Sequence, residues 1–137
     1  MSTSAKMAAK HLPFKTAEGF DDVAITIGAD AGTTVLVSCQ LKDANGRNVA
    51  AKRGFLFYLS TLATGLVAPA APSGGYAIAS SKGRIIPIVA NIAGYAQSDA
   101  NGEFAITITE AGAYTCFLNI VKPNGEIVTS TVITFTA

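Results

Sequence analysis

Apolar and polar residues alternate with a period of two along most of this chain. In the run from 33 to 42, one side of the alternation consists of Val35, Val37, Cys39 and Leu41. Successive side chains of a β-strand point to opposite faces, so this spacing is typical of a half-buried strand. The pattern predicts that these four side chains face a core.

Similar alternation recurs to the end of the sequence, whereas no segment repeats with the 3.6-residue period of a helix. Further strands are predicted at 23–27, 55–60, 76–80, 84–89, 92–97, 104–109, 114–121 and 127–135. Pro87 interrupts one of them and places it at a sheet edge, because proline cannot donate a ladder hydrogen bond. The fold class predicted is all-β, with about eight or nine strands.

The strand that begins at Phe55 is apolar on both faces. Phe55, Phe57 and Leu59 alternate with Leu56 and Tyr58. A strand buries both faces only where another layer covers the second one. We therefore expect this strand to be central in its sheet or to lie at an interface, with Leu56 and Tyr58 among the interface residues.

Three turn signals separate the predicted strands. The tetrapeptide Asp-Ala-Asn-Gly occurs at 43–46 and again at 99–102, and Pro-Asn-Gly occupies 123–125. Asn-Gly accepts positive φ at low cost and suits tight turns between antiparallel strands. The predicted turn residues are Asn45, Gly46, Asn101, Gly102, Asn124 and Gly125. Together these signals predict hairpins in an antiparallel two-sheet Greek-key sandwich, either immunoglobulin-like or jelly roll.

Residues 1–22 differ from the rest because they show no periodic apolar pattern. They carry scattered lysines and a few large apolar residues, of which we assign to an interface Lys6, Lys10, Leu12, Phe14 and Phe20. The interpretation is an extended N-terminal arm, 1–22, that orders on a neighbouring subunit, before a sandwich domain, 23–137. A frayed terminus is the alternative.

The segment 61–75 contains two prolines and three glycines, which exclude a central strand and favour a long ordered loop. Leu66 and Val67 are its predicted interface residues. The apolar stretch from 55 to 71 also raises the possibility of a membrane span, but its prolines and its strand-like beginning argue against one. We therefore expect no membrane partner.

Composition limits the classes of function. The 137 residues fit one domain, and 50% of them are hydrophobic, whereas only 14% are charged. Average soluble domains contain about 25% charged residues, so other subunits are expected to cover part of the surface, including further copies of this chain. With a net charge of +1 and scattered basic residues, nucleic-acid binding is not expected. The N-terminus lacks the apolar core of a secretory signal, so folding in a cytoplasm is expected.

Candidate chemistry is sparse. His11 is the only histidine, and neither G-x-S-x-G nor C-x-x-C occurs. The Asp-x-Asn-Gly turns lack the later acidic ligand of a calcium loop. We expect no catalytic residues, no cofactor and no metal site.

The two cysteines, Cys39 and Cys116, lie at core-facing positions of separate predicted strands. Such a pair could form a bond between the sheets of an immunoglobulin-like sandwich. Cytoplasmic folding favours two reduced core thiols instead.

Two resemblances extend this interpretation. The segments 40–49 and 98–114, which contain the two Asp-Ala-Asn-Gly turns, resemble the turn and strand pattern of bacterial immunoglobulin-like domains. The segments 71–75 and 122–135 resemble small single-domain structural proteins of tailed bacteriophages. The second resemblance implies a capsid decoration, or cement, protein: a β-sandwich or jelly roll on the outer capsid surface of the virion. Its partner would be the major capsid protein, and it would stabilise contacts between capsomers.

Two functions of different classes follow. The first is a non-enzymatic virion structural protein, made in the cytoplasm of the bacterial host. The alternative is an immunoglobulin-like binding module of a phage tail or bacterial surface that recognises carbohydrate or a host receptor. In that alternative the 61–75 loop and the turns bind the ligand, and Tyr76 and Tyr95 are the candidate sugar platforms.

Overall fold

A computed structural model describes residues 19–63 and 71–136. Ten strands form in these ranges: β1 (Asp22–Ile27), β2 (Thr34–Lys42), β3 (Gly54–Ser60), β4 (Tyr76–Ile78), β5 (Arg84–Val89), β6 (Ala93–Gln97), β7 (Glu103–Thr109), β8 (Tyr114–Val121), β9 (Ile127–Thr129) and β10 (Ile133–Phe135). The described residues include no helix, and so none that could cross a membrane.

The strands form two antiparallel sheets. The order in the four-stranded sheet is β1-β2-β7-β4, and in the six-stranded sheet it is β10-β8-β3-β6-β5, with β9 also pairing with β8. Consecutive strands β2 and β3 lie in different sheets, as do β7 and β8, yet β2 pairs with β7 and β3 pairs with β8. These crossings between sheets confirm the predicted all-β, two-sheet antiparallel sandwich.

Alternation along the strands fills the space between the sheets. The predicted face of β2 is buried, and β7 contributes Phe104, Ile106 and Ile108 beside it. From the six-stranded sheet, alternate residues of β3 and β8 enter the same core. The strand β3 is central in its sheet and β5, with Pro87, lies at the edge, so both predictions are confirmed.

A chain of five aromatic rings runs through this core. Phe104 of β7 lies between Phe55 and Phe57 of β3, with ring centroids 5.3 and 5.5 Å away. Phe20 packs on Phe55 at 5.7 Å, and Tyr76 packs on Phe57 at 5.3 Å. Three of these four contacts are edge-to-face, and each such contact contributes about 0.5–1.5 kcal/mol beyond area burial.

The sandwich begins earlier than the sequence pattern predicts. Phe20 is only 7% exposed, and the backbone N–H of Asp21 donates to the carbonyl of Lys42 at 2.8 Å. Phe20 is therefore part of the core of its own sandwich and is not available to a neighbour. The physical reason is that its ring covers the open end of the aromatic chain beside Phe55.

All three predicted turns form with the same geometry. The N–H of the first residue donates to the carbonyl of the fifth at 2.8 Å for Asp43 and 2.9 Å for Asp99, and at 2.7 Å for Lys122. Their glycines have φ values of 78°, 72° and 89° at Gly46, Gly102 and Gly125, respectively. The expected positive φ is confirmed at each.

Only one of these turns makes a simple hairpin. The turn at 122–126 joins β8 to its partner β9, whereas the turn at 43–47 lies between β2 and β3, and that at 99–103 lies between β6 and β7. Neither of the last two pairs of strands shares a sheet. Lys42 and Asn48 form an isolated antiparallel bridge across the first of these turns, but the strand that follows each turn joins the other sheet. The prediction of hairpins between consecutive strands is therefore wrong for these two, because a turn sequence sets local φ and ψ but not the strand with which the chain then pairs.

The closing strand, predicted as one piece over 127–135, is divided into β9 and β10. Three residues lie between Thr129 and Ile133, whereas only two lie between their partners Asn119 and Cys116 on β8. The extra residue is a β-bulge. Beside it, Ser130 exchanges two hydrogen bonds with the Leu118 backbone, since its N–H donates to the carbonyl at 2.9 Å and its Oγ accepts from the N–H at 3.0 Å.

Cys39 on β2 and Cys116 on β8 lie in different sheets, and both are buried, unbonded thiols. Burial raises the pKa of each thiol to about 12 from its ordinary value of 9.0, with Glu110 adding to the effect at Cys116. Low thiolate content and burial make both thiols unreactive in the folded state.

The two Asp-Ala-Asn-Gly turns should respond differently to the same substitution. A Cβ at Gly46 meets nothing within 4 Å, whereas a Cβ at Gly102 would overlap the carbonyl of Val49. We expect Gly46→Ala to cost about 1 kcal/mol for its positive φ alone. Gly102→Ala should cost about 3 kcal/mol or more, because the backbone must also move. Urea denaturation of both variants tests this, and equal losses would contradict the packing of the second turn.

The buried thiols predict a loss of stability at alkaline pH. Above about pH 9 the unfolded chain releases its thiol protons, whereas the folded chain retains them up to pH about 12. The free energy of unfolding should therefore fall as pH rises through this window. Tyrosines and lysines also titrate there, so the measurement is the difference between the wild type and Cys39→Ala/Cys116→Ala, which should show the shallower fall. Parallel pH profiles, or an intact mass about 2 Da below that of the reduced chain, would indicate a disulfide instead.

Candidate interaction surface

Five apolar side chains form a row across the outer face of the six-stranded sheet. The strand registers pair Ile86 with Tyr95, Tyr95 with Leu56, Leu56 with Val121, and Val121 with Ile127. Directly paired residues share a face of an antiparallel sheet. We call these five residues the apolar row.

The apolar row is open to solvent along most of its length. The exposed fractions are 67% for Ile86, 48% for Ile127, 45% for Tyr95 and 44% for Leu56, and Val121 is half-buried. Single exposed apolar residues are common, but a contiguous row on one face marks a surface for another molecule.

A second row lies beside it, two residues away along β3, β6, β8 and β9 and three residues away along β5, where the register shifts between Pro87 and Val89. It runs from Val89 through Ala93 and Tyr58 to Asn119 and Thr129. Val89 is 47% exposed and Tyr58 is half-buried. The apolar area therefore widens toward β5 and becomes polar toward β9.

Asn119 anchors the polar end of the second row. Its side chain is fully buried, its Nδ2 donates to Ser60 Oγ at 2.9 Å, and its Oδ1 accepts from Thr129 Oγ1 at 2.7 Å. Ser60 Oγ in turn donates to the carbonyl of Leu62 at 2.9 Å. A satisfied buried network of this kind holds β3, β8 and β9 in a fixed arrangement.

Tyr95 lies across the face of the sheet. A Cβ added to Gly54 would overlap the Tyr95 hydroxyl, so the phenol ring covers Gly54 on the neighbouring strand. Glycine at this position gives the ring room to lie on the sheet. The middle of the apolar row is accordingly low and broad rather than a projecting knob.

Charge is almost absent from this face. Among outward-facing strand residues of the six-stranded sheet in the described ranges, Arg84 is the only charged one. It lies at the corner of the sheet, opposite Gln97. The face can therefore contact an uncharged surface without the large desolvation cost of burying an ion.

An apolar cleft opens beside this face, between edge strands β4 and β5. It has a volume of about 280 Å³ and is lined by Tyr76, Ala77, Ile78, Ile85, Pro87, Ala90 and Asn91. The Tyr76 hydroxyl has no hydrogen-bond partner among the described residues, and burial raises its pKa. Because the Tyr76 ring packs on Phe57, Tyr95 is the more exposed of the two predicted sugar platforms.

The turn carboxylates are occupied by their own backbone. Asp43 Oδ1 accepts from the N–H groups of Asn45 and Arg47, and Asp99 Oδ1 accepts from those of Asn101 and Glu103, all at 2.9 Å. No group of three or more His, Cys, Asp or Glu side chains that could hold a metal occurs in 19–63 or 71–136.

The structure places the predicted interface residues in different settings. Leu56 and Tyr58 lie on the outer face, in adjacent rows, and Phe20 lies in the core. The remaining predicted interface residues fall outside the described ranges: Lys6, Lys10, Leu12, Phe14, Leu66 and Val67.

Sequence reasoning missed most of the apolar row. The sequence indicates Tyr95 only as a candidate sugar platform, and Ile86, Val121 and Ile127 each carry the ordinary alternation signal of their own strand. Nothing in the sequence says that these strands are neighbours, so their outward residues could not be joined into one surface. Only the apolar second face of β3 indicated where that surface lies.

The sequence matches no protein-family model and no curated protein. Among solved structures, the sandwich is similar to the Yersinia pseudotuberculosis adhesin InvE, with a TM-score of 0.54 and 17% identity over 87% of this chain and 33% of that one. It is also similar to the D00-D0 domain of Intimin, with a TM-score of 0.43 and 12% identity over 87% of this chain and 48% of that one.

A third similar structure is a cohesin module from the Clostridium perfringens ATCC13124 family 33 glycoside hydrolase. Its TM-score is 0.46, with 6% identity over 86% of this chain and 98% of that module. This chain spans about a third of the InvE chain, so it corresponds in size to one part of that protein. The likeness to InvE shows the fold, an immunoglobulin-like β-sandwich.

Proposed function

We propose that this chain is a non-catalytic, immunoglobulin-like binding module that docks on another protein through the outer face of its six-stranded sheet. The observation that carries the proposal is the apolar row, which crosses five strands and, among the described strand residues of that face, has Arg84 as its only charged neighbour. Apolar area of this kind contributes affinity in proportion to the surface that it removes from water.

The shape and chemistry of the face favour a protein over a carbohydrate. Sugar recognition needs several convergent hydrogen-bonding groups around an aromatic platform, since small-ligand sites are concave with placed polar groups. Here Tyr95 is the one well-exposed ring of the row, and its neighbours Ile86 and Leu56 are aliphatic. A broad apolar face is typical of contact with another protein surface.

The fold supports a binding role. Immunoglobulin-like sandwiches serve many functions, so the likeness to an adhesin adds weight to binding without specifying a ligand. The acidic side chains of the first two turns are engaged by backbone N–H groups, and both cysteines are buried with raised pKa values. The turn carboxylates and the two thiols therefore have structural roles, which agrees with a non-enzymatic function.

Capsid decoration is the second candidate. The low charged content, 14%, and the apolar row would both suit a subunit that is partly covered by a shell. Both candidates use the same face, but they differ in where the protein is attached. A bacterial surface or phage tail is the location in the first case, and the outer capsid surface in the second.

The matched pair Leu56→Lys and Leu36→Lys tests the proposal. Both leucines are 44% exposed on the outer faces of strands, but they lie on opposite sheets. The amount of protein attached to intact producing cells and to phage particles purified from the same culture is measured with an antibody. We expect Leu56→Lys to lower attachment at least about tenfold, because a cation replaces buried apolar surface, and Leu36→Lys to leave it unchanged.

The site of attachment separates the two candidates. Label on the surface of intact cells supports the adhesion module, and hundreds of copies on each particle, relative to the major capsid protein, support decoration. Attachment that survives Leu56→Lys, or that both variants abolish equally, would contradict docking through this face. A wild-type protein found attached to neither would contradict the proposed function itself.

A further inference from the structure

We propose that one partner of the apolar row is a second copy of this chain, packed face to face across a twofold axis that passes near Leu56. The inference rests on the proposed function and names a partner for the same face. It follows from two features of the described residues, the charge of the face and the interruptions in three of the four sheet edges, and the available area sets the expected strength.

The charge of the face suits contact with itself. In a twofold interface, residues near the axis meet their own equivalents, so any charge there is opposed by the same charge. Leu56 lies on the central strand, with Tyr95 and Val121 on either side, and all three are uncharged. Arg84, the one charged residue on this face among the described strands, lies on edge strand β5, so a twofold axis that runs along β3 over Leu56 places the two copies of Arg84 at opposite edges.

An unlike partner usually leaves a different signature. Charged groups on one surface match opposite charges on the other, which sets orientation and suppresses wrong partners. The outer face has no outward carboxylate in its described strands. Its specificity must therefore come from shape, and the low ring of Tyr95 over Gly54 leaves a broad surface on which a second sheet can pack at about 10 Å.

Three of the four sheet edges in the described residues are poor sites for edge-to-edge pairing. On β5, Pro87 and the register shift between Pro87 and Val89 interrupt the ladder. On the opposite side, a bulge separates β9 from β10, and β4 is only three residues long. Proline, bulges and short edge strands all discourage strand addition. Of the four edges, β1 alone is a continuous strand without these features.

The available area sets the expected strength. Five strands at about 4.8 Å spacing, with two rows of side chains, give a face of about 300–400 Å² in projection. A standard interface buries about 800 Å² on each partner, so this face is at the weak end. We expect a dissociation constant of about 10–100 μM, in the range of transient dimers.

Charge substitution at Leu56 tests the twofold arrangement. Sedimentation equilibrium of the full chain is measured from about 1 μM to about 1 mM, a range that spans the expected dissociation constant. Leu56→Lys and Leu56→Glu should each weaken self-association at least about tenfold, because like charges meet across the axis. An equimolar mixture of the two should associate again, because opposite charges then meet. The matched variants Leu36→Lys and Leu36→Glu should behave as the wild type does.

Other outcomes overturn the proposal. They are a wild type that stays monomeric up to about 1 mM, association that Leu56→Lys leaves unchanged, or a mixture that does not associate more strongly than either variant alone. A shared melting temperature for Leu56→Lys and Leu36→Lys shows that both variants are folded. If the wild type is monomeric but Leu56→Lys still loses attachment to cells or particles, the face binds an unlike protein, and the proposed function stands without the dimer.

Discussion

The insertion of Phe104 between Phe55 and Phe57 is the contact on which the rest of the sandwich depends. It places one ring of the four-stranded sheet between two rings of the other sheet, and Phe20 and Tyr76 extend the chain to the first strand and to edge strand β4. Rings that interdigitate in this way fix both the separation and the lateral register of the two sheets, because close-packed interiors tolerate little sliding. The inner face of β3 is thereby buried in the core.

Burial of the inner face of β3 determines which of its residues face outward. Successive side chains point to opposite sides, so burying Phe55 and Phe57 inward turns Leu56 outward. Pairing with β6 and β8 then aligns Leu56 with Tyr95 and Val121, and the same register carries the row on to the strands beyond. The exposed surface is in this sense a consequence of the core. The buried network around Asn119 limits the apolar area on the β9 side.

The two Asp-Ala-Asn-Gly turns show how identical sequences acquire different roles. Each makes the same internal hydrogen bonds, since the aspartate Oδ1 accepts from two backbone N–H groups of its own turn. Tertiary packing separates them. The carbonyl of Gly102 accepts from Leu41 N–H at 2.9 Å and from Gln40 Nε2 at 3.2 Å, whereas Gly46 faces open space. The second turn is thus packed against the end of β2, whereas a Cβ at the glycine of the first turn would meet no atom within 4 Å.

The sequence by itself determined the all-β class, the buried faces of β2, β7 and β8, and the positive φ of the turn glycines. These are local properties, set by alternation and by the steric freedom of Asn-Gly. Tertiary structure alone decided that two of the turns connect different sheets, that Phe20 enters the core, and that outward residues of five strands form one row. Those outcomes depend on which strands pair across long sequence separations, and alternation within a strand carries no information about its neighbours. The pairing and register of the strands therefore determine the interaction surface, although each of its residues follows an alternation that is visible in the sequence.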